Sequence, residues 1–217
     1  MGIVRPLNIL YEDDSLIVVN KRSGMLVIPT AKGEKNTLTH LLNEELDAKG
    51  IEINAYPCHR IDRETSGLIV YAKGKSMQQK MMDSFKHRKV HKTYLAFVSG
   101  TVSQEKDTLK DDLYNRTSRK TEFALMHYKV LARKKGYTVV QVDPVTGRKN
   151  QIRIQFEKRG HPLLGERVYA FRRDIPVHFR RLALHAQAIE FMHPRTGKLM
   201  RFTAPLPEDM ESFLRNN

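Results

Sequence analysis

The sequence predicts an α+β fold built on a single, largely antiparallel mixed sheet flanked by helices and loops. Three observations carry that prediction. Short β-rich runs outnumber helical stretches, neighbouring runs are often joined by tight turns, and the regular strand–helix–strand alternation of a doubly wound sheet is missing. Ile9-Leu10-Tyr11 and Leu16-Ile17-Val18-Val19, parted by Asp13-Asp14, open the chain as a hairpin. Thr37–Ala48 reads as a helix, with Leu38, Leu41, Leu42 and Leu46 on one face and Gly50 beyond its end. Gly67–Ala72 is an apolar strand leading to a helix from Ser76, taken as its N-cap, whose Met77, Met81 and Phe85 stripe faces the core. Thr93–Val98 is a further strand. Phe123–Ala132 and Tyr137–Val142 form a hairpin around Lys134-Lys135-Gly136, and 150–159 is a helix closed by Gly160. Leu182–Phe191 pairs with Leu199–Thr203 through Pro194-Arg195-Thr196-Gly197, and Pro207–Leu214 is the last helix. With no repeat, low-complexity tract or Pro/Gly/Ser-rich linker, residues 1–217 are expected to form one domain with its core at about 9–207.

Composition narrows the class. Leu, Ile, Val and Phe make up 57 of the 217 residues, enough for a packed core. No run approaches the roughly 18 apolar residues of a membrane span, and Met1–Pro6 has no signal-peptide core, so the chain reads as a cytoplasmic protein. The lone cysteine, Cys58, rules out an internal disulfide and fits a reducing compartment. The formal charge of +14 is concentrated. Residues 73–181 hold 26 basic and 10 acidic groups, a net +16, whereas 1–72 hold 8 and 10. A block of that kind suits a polyanion, although a solvated basic surface has the same composition.

Familiar catalytic signatures are missing. The chain has no phosphate-binding G-x-x-x-x-G-K-[ST] loop, no G-x-G-x-x-G and no H-E-x-x-H, and Cys58-His59 with Asp62 finds no second cluster to complete a metal site. Three polar segments remain. His59-Arg60-Ile61-Asp62-Arg63-Glu64-Thr65-Ser66-Gly67 lies directly before an apolar strand, where loops project side chains from a rigid sheet. Taken by itself, the segment reads first as an Asx-type turn that caps the strand. His91-Lys92-Thr93-Tyr94 sets a tyrosine at a strand opening, where a half-buried aromatic is ordinary. Pro144–Arg153 joins a turn to a helix start carrying three cations, which suits phosphate or simply solvent.

Together these segments resemble the RluA-type family of RNA pseudouridine synthases in its short form. The H-R-L-D-x-x-T-S-G signature is matched by His59–Gly67, K-x-Y-x-A-x-V-x-G by Lys92–Gly100, and P-x-T-G-R-x-x-Q-[IL]-R by Pro144–Arg153. Similarity extends through Ile9–Pro29, Gly160–Gly165, Arg181–Ala186, His193-Pro194 and Ala204–Pro207. The resemblance implies Asp62 as catalytic aspartate, Tyr94 as the tyrosine against the uracil and Arg153 as the arginine paired with the aspartate. It implies Arg60 as the residue that helps expel the target base, Leu184 as pocket lining, and His59, Thr65 and Arg148 as substrate-binding positions. Departures occur at Arg22, where proline is usual, at Asn150 and Gln155, where histidines are common, and at Glu166, where aspartate is usual. They are expected to leave Asp62, Tyr94 and Arg153 untouched. No N-terminal S4-like domain is expected before Ile9.

The implied reaction isomerises uridine to pseudouridine in structured RNA, ribosomal or transfer, and is expected to need no metal or cofactor and no membrane or protein partner; a monomer is the default expectation. The N1–C1′ bond breaks, the uracil turns and C5 bonds to C1′. The Asp62 carboxylate attacks C1′ or removes the C2′ proton, and a neighbouring arginine favours its ionised form. The base must leave the RNA stack, a cost of a few kcal/mol that a guanidinium inserted in its place would offset. A non-catalytic RNA binder has no use for all three central residues. A base-releasing glycosidase calls for two placed carboxylates, and Glu64 is the one near partner.

Overall fold

A computed structural model of the chain describes residues 6–115, 118–170 and 177–217. The start at Met1–Arg5, and Arg116, Arg172 and Arg173 of the basic block, lie outside the described residues. In chain order the elements are β1 (Ile9–Glu12), β2 (Leu16–Lys21), α1 (Leu38–Ala48), β3 (Ala55–Pro57), β4 (Ser66–Lys73), α2 (Lys75–Lys86), β5 (His91–Ser99), β6 (Lys106–Asn115), β7 (Lys120–Lys134), β8 (Tyr137–Pro144), α3 (Gln151–Lys158), β9 (Leu184–Met192), β10 (Leu199–Thr203) and α4 (Glu208–Asn216). The architecture is α+β with largely antiparallel pairing, as the sequence predicts. The chain falls into two compact units, one of residues 1–90 and 188–204, the other of 91–187 and 205–217. Among the described residues no helix is long and apolar enough to cross a membrane.

In the first unit, β2 pairs antiparallel with β1 on one side and β4 on the other, β3 adds to β4, and β10 pairs with β9. Its core gathers Leu16, Val18, Leu68, Val70, Met81, Ile189 and Phe191, with Met77 and Phe85 packed against it. The Met/Phe stripe of α2 is therefore a packing face. Helix α1 buries Leu38, Leu42 and Leu46, and Thr37 caps it by accepting the His40 N–H. Helix α2 begins differently from the sequence expectation. Its N-cap is Gly74 at φ +84°, with no side-chain cap, and Ser76 lies inside the first turn.

In the second unit, β5–β8–β7–β6 forms an antiparallel series, with β7 and β8 joined across Lys135-Gly136. One core cluster includes Ala96, Val98, Met126, Val140, Val142, Ile152, Phe156 and Leu184, with Tyr94 packed against it. A second joins Phe97, Tyr137, Leu164, Phe179 and Met210. The sequence pattern predicts no strand at β6. Its inward face reads Leu109, Asp111, Leu113, so a carboxylate interrupts the apolar alternation, while its other residues are mostly exposed. Three-residue β3 is too short to show a period.

Candidate active site

The candidate residues come from both units, and each group has its own geometry. In the first unit, Lys21 lies opposite Gly67 in the β2–β4 register, which sets the turn after β2 beside the loop before β4. That loop carries His59, Arg60, Asp62 and Thr65, and it is fastened largely through main-chain atoms. Lys21 is almost fully buried, and its Nζ donates to the carbonyls of Arg22 (2.9 Å), Met25 (2.8 Å) and Arg63 (3.1 Å). Gly24 N–H donates to Arg63 O at 2.8 Å, Arg63 Nε returns to Gly24 O at 2.9 Å, and Ser23 Oγ donates to Glu64 O at 2.6 Å. Asp62 accepts the Thr65 N–H on its own carbonyl at 3.1 Å, a tight turn that leaves its side chain half-buried.

The remaining residues of that segment take distinct positions. Arg60 is exposed. His59 accepts the Val70 N–H on Nε2 at 3.1 Å and packs its ring 4.8 Å from that of Phe85, so the imidazole ties the loop to β4 and α2. Thr65 Oγ1 is sealed from solvent and meets no hydrogen-bond partner among the described residues. Burial pushes the Cys58 thiol up to about 12, so this cysteine is a protonated core side chain with little nucleophilic character. Arg22 reaches Pro6 O at 3.2 Å.

In the second unit, Tyr94 on β5 lies opposite Val142 of β8 and packs against the cluster that holds Leu184 and Ile152. Ile152 precedes Arg153 on α3, so the structure brings Tyr94, Leu184 and the helix bearing Arg153 to one neighbourhood. Lys92 shares the Tyr94 face of β5, two residues away. A Cβ placed on Gly147 would lie 3.5 Å from its Nζ, and burial pushes its ammonium pKa down. Arg148 anchors the turn before α3 by donating from Nε to Phe123 O at 2.9 Å and from its N–H to Gln151 Oε1 at 3.0 Å.

Arg153 sits in a cradle of side chains. Its Nε and Nη2 donate to the two carboxylate oxygens of Glu166 at 2.7 and 2.8 Å, and Nη1 donates to Asn150 Oδ1 at 3.1 Å. The Tyr169 ring lies 5.0 Å from the guanidinium carbon, and Asn150 Nδ2 donates to the Tyr169 hydroxyl at 2.7 Å. Burial pushes the Glu166 carboxyl up, but Arg153 and the N–H groups of Val168 and Tyr169 outweigh it and hold the pKa below the usual carboxylate range. The departures at Asn150 and Glu166 therefore touch Arg153 directly, contrary to the expectation that they would leave the central residues alone. The sequence spacing hid this because residue 166 lies in a loop 13 positions beyond the arginine. Gln155, the third departure, is fully buried and bridges Gln151 to Asp111 of β6 at 3.0 and 2.8 Å.

Comparison with known proteins places the chain among its relatives. Residues 15–158 match the family described as RNA pseudouridylate synthase. The chain is 36% identical over 221 residues to an uncharacterised RNA pseudouridine synthase, YlyB, of Bacillus subtilis, spanning 97% of this chain and 72% of that protein. It is 33% identical over 223 residues to ribosomal large subunit pseudouridine synthase D of Xylella fastidiosa, spanning 94% and 67%. The fold is shared with human RNA pseudouridylate synthase domain containing 4, at a TM-score of 0.83 and 21% identity over 96% of this chain and 92% of that one.

Proposed function

The chain belongs to the RNA pseudouridylate synthase family and is an RNA pseudouridine synthase; on that premise we propose that Asp62, Tyr94 and Arg153 carry the isomerisation. The observation that best supports the reading is the fastening of the Asp62 turn, whose neighbouring carbonyls at Arg22, Met25 and Arg63 converge on the buried Lys21 ammonium. A carboxylate meant to act at one sugar carbon needs a backbone that does not drift.

In this mechanism the target uridine leaves the RNA stack and Arg60, exposed on the same loop, fills its place. Asp62 acts at C1′ or at the C2′ proton as the glycosidic bond opens. The freed uracil turns against Tyr94, whose ring stacks on the base and whose hydroxyl assists loss of the C5 proton once C5 has bonded to C1′. Arg153 pairs with the Asp62 carboxylate. Leu184 walls the pocket against water, which would otherwise capture C1′ and leave an abasic site. Arg148 contacts the substrate, the sealed Thr65 hydroxyl does so only as the loop opens around it, and His59 holds the loop from behind. Ribosomal large-subunit RNA is the first substrate to try, after the name of the Xylella relative, with transfer RNA the second, and the enzyme works as a cytoplasmic monomer on RNA alone.

The test is tritium release from RNA carrying 5-tritiated uridine. Asp62→Asn is expected to lower turnover by about 10²–10⁴-fold or to abolish it, while RNA affinity stays near wild type. Full turnover in that variant sinks the assignment of Asp62.

A further inference from the structure

We propose that Glu166, assisted by Asn150 and Tyr169, is a positioning residue that fixes which edge of the Arg153 guanidinium is presented to the reacting carboxylate. A guanidinium is planar and offers two forks to an anion, a side fork from Nε and Nη2 and an end fork from Nη1 and Nη2. Glu166 takes the side fork with both oxygens, at 2.7 and 2.8 Å. A second carboxylate that pairs with Arg153 must therefore approach the end fork. Asn150 Oδ1 at Nη1 and the Tyr169 ring against the guanidinium set the tilt of that plane.

Glu166 is suited to this task because it is itself held on several sides. Its side chain is fully covered, and its Oε1 accepts the N–H groups of Val168 and Tyr169 at 2.7 and 3.2 Å. The segment before it is clamped: Leu164 N–H donates to Phe97 O at 2.8 Å, and Ala183 N–H donates to Leu164 O at 2.9 Å. Gly165 completes the clamp, since its φ is +73° and a Cβ there would lie 1.8 Å from Arg181 O. The electrostatic consequence is specific. Glu166 cancels most of the positive field of Arg153, so the arginine acts on a second carboxylate as an aimed pair of N–H donors more than as net charge.

This inference rests on the proposed pairing of Arg153 with Asp62, and the experiment separates the two. Full-length Glu166→Gln, Glu166→Asp and Asn150→Ala are compared with Asp62→Asn for kcat and KM in tritium release, with RNA affinity and thermal midpoint recorded for each. Glu166→Gln is expected to lower kcat about 10–100-fold with KM little changed, the usual scale for a group that orients a reacting one. Glu166→Asp, which keeps the charge, is expected to recover part of that loss, and Asn150→Ala to lose less than Glu166→Gln. Should Glu166→Gln fail to fold, Asn150→Ala and Glu166→Asp carry the same readout. Wild-type kcat in whichever of Glu166→Gln or Asn150→Ala folds, alongside an inactive Asp62→Asn, overturns the positioning role and leaves the proposed function standing. An active Asp62→Asn overturns the proposed function itself.

Discussion

The Asp62 loop of the first unit and the Arg153 cradle of the second hold their key side chains by opposite means. The loop is fastened through main-chain groups, with carbonyls of Arg22, Met25, Arg63 and Glu64 taking donors from Lys21, Gly24 and Ser23. The accepting carbonyls are groups that every residue offers, so Arg22 in place of the family's usual proline costs the fastening nothing, while Lys21 and Ser23 supply the side-chain donors. The cradle is fastened through side chains, with one carboxylate, one amide and one phenol closing on a guanidinium. There each identity counts. A backbone-held site tolerates substitution and fails by unfolding, while a charge-held site fails by losing aim.

The perturbation with the largest expected effect is Gly165→Ala. The added methyl would collide with Arg181 O from a left-handed backbone, so the cradle's supporting segment must shift, at a cost above about 3 kcal/mol in chemical denaturation. A variant of wild-type stability would mean that this segment bends freely and that the cradle is softer than its hydrogen bonds imply. Next, Lys21→Met removes a buried ammonium from three carbonyls and is expected to lower stability by about 2–3 kcal/mol. A loss well below that would mean the loop is held by its other bonds.

Smaller effects sharpen the contrast further. Thr65→Val deletes a sealed hydroxyl with no partner among the described residues, so stability should hold or rise by up to about 1 kcal/mol. If the hydroxyl serves the substrate, kcat/KM falls all the same, and equal stability with unchanged kcat/KM removes Thr65 from the binding set. The last effect concerns acid. The folded Glu166 carboxyl lies below its usual range, so its stabilisation is complete above its unfolded value of about 4.3 and is lost as pH falls through the folded value. Wild type should therefore lose stability over that acidic window more steeply than Glu166→Gln, as read from denaturation midpoints. Parallel curves would show that the pair contributes nothing there.

Much of the fold is legible because its signals are local. The α1 leucines repeat at helical spacing, and the β7–β8 hairpin announces itself by two apolar runs around a glycine turn. Strand β6 escapes because Asp111 replaces the middle apolar residue of its inward face, and the reason lies 44 positions away, where Gln155 donates to that carboxylate. The same asymmetry governs the site. His59–Gly67 is contiguous, so a short signature points to Asp62. The environment of Arg153 is gathered from positions 150, 153, 166 and 169, and nothing in their spacing announces that Glu166 reaches back over the loop to the arginine. Identity at each position is legible in the sequence, whereas the choice of partner is made by the turn at Gly165.

The single cysteine gives one unit of the molecule a built-in clock. Cys58 is buried in the first unit's core, with a thiol that burial keeps protonated, so an alkylating reagent can reach it only when that core opens. The chain has no other thiol, and the second unit therefore stays silent to the reagent. The labelling rate of unmodified protein thus times the opening of the half that carries Asp62, with no engineered probe, and RNA that steadies that half will slow the clock.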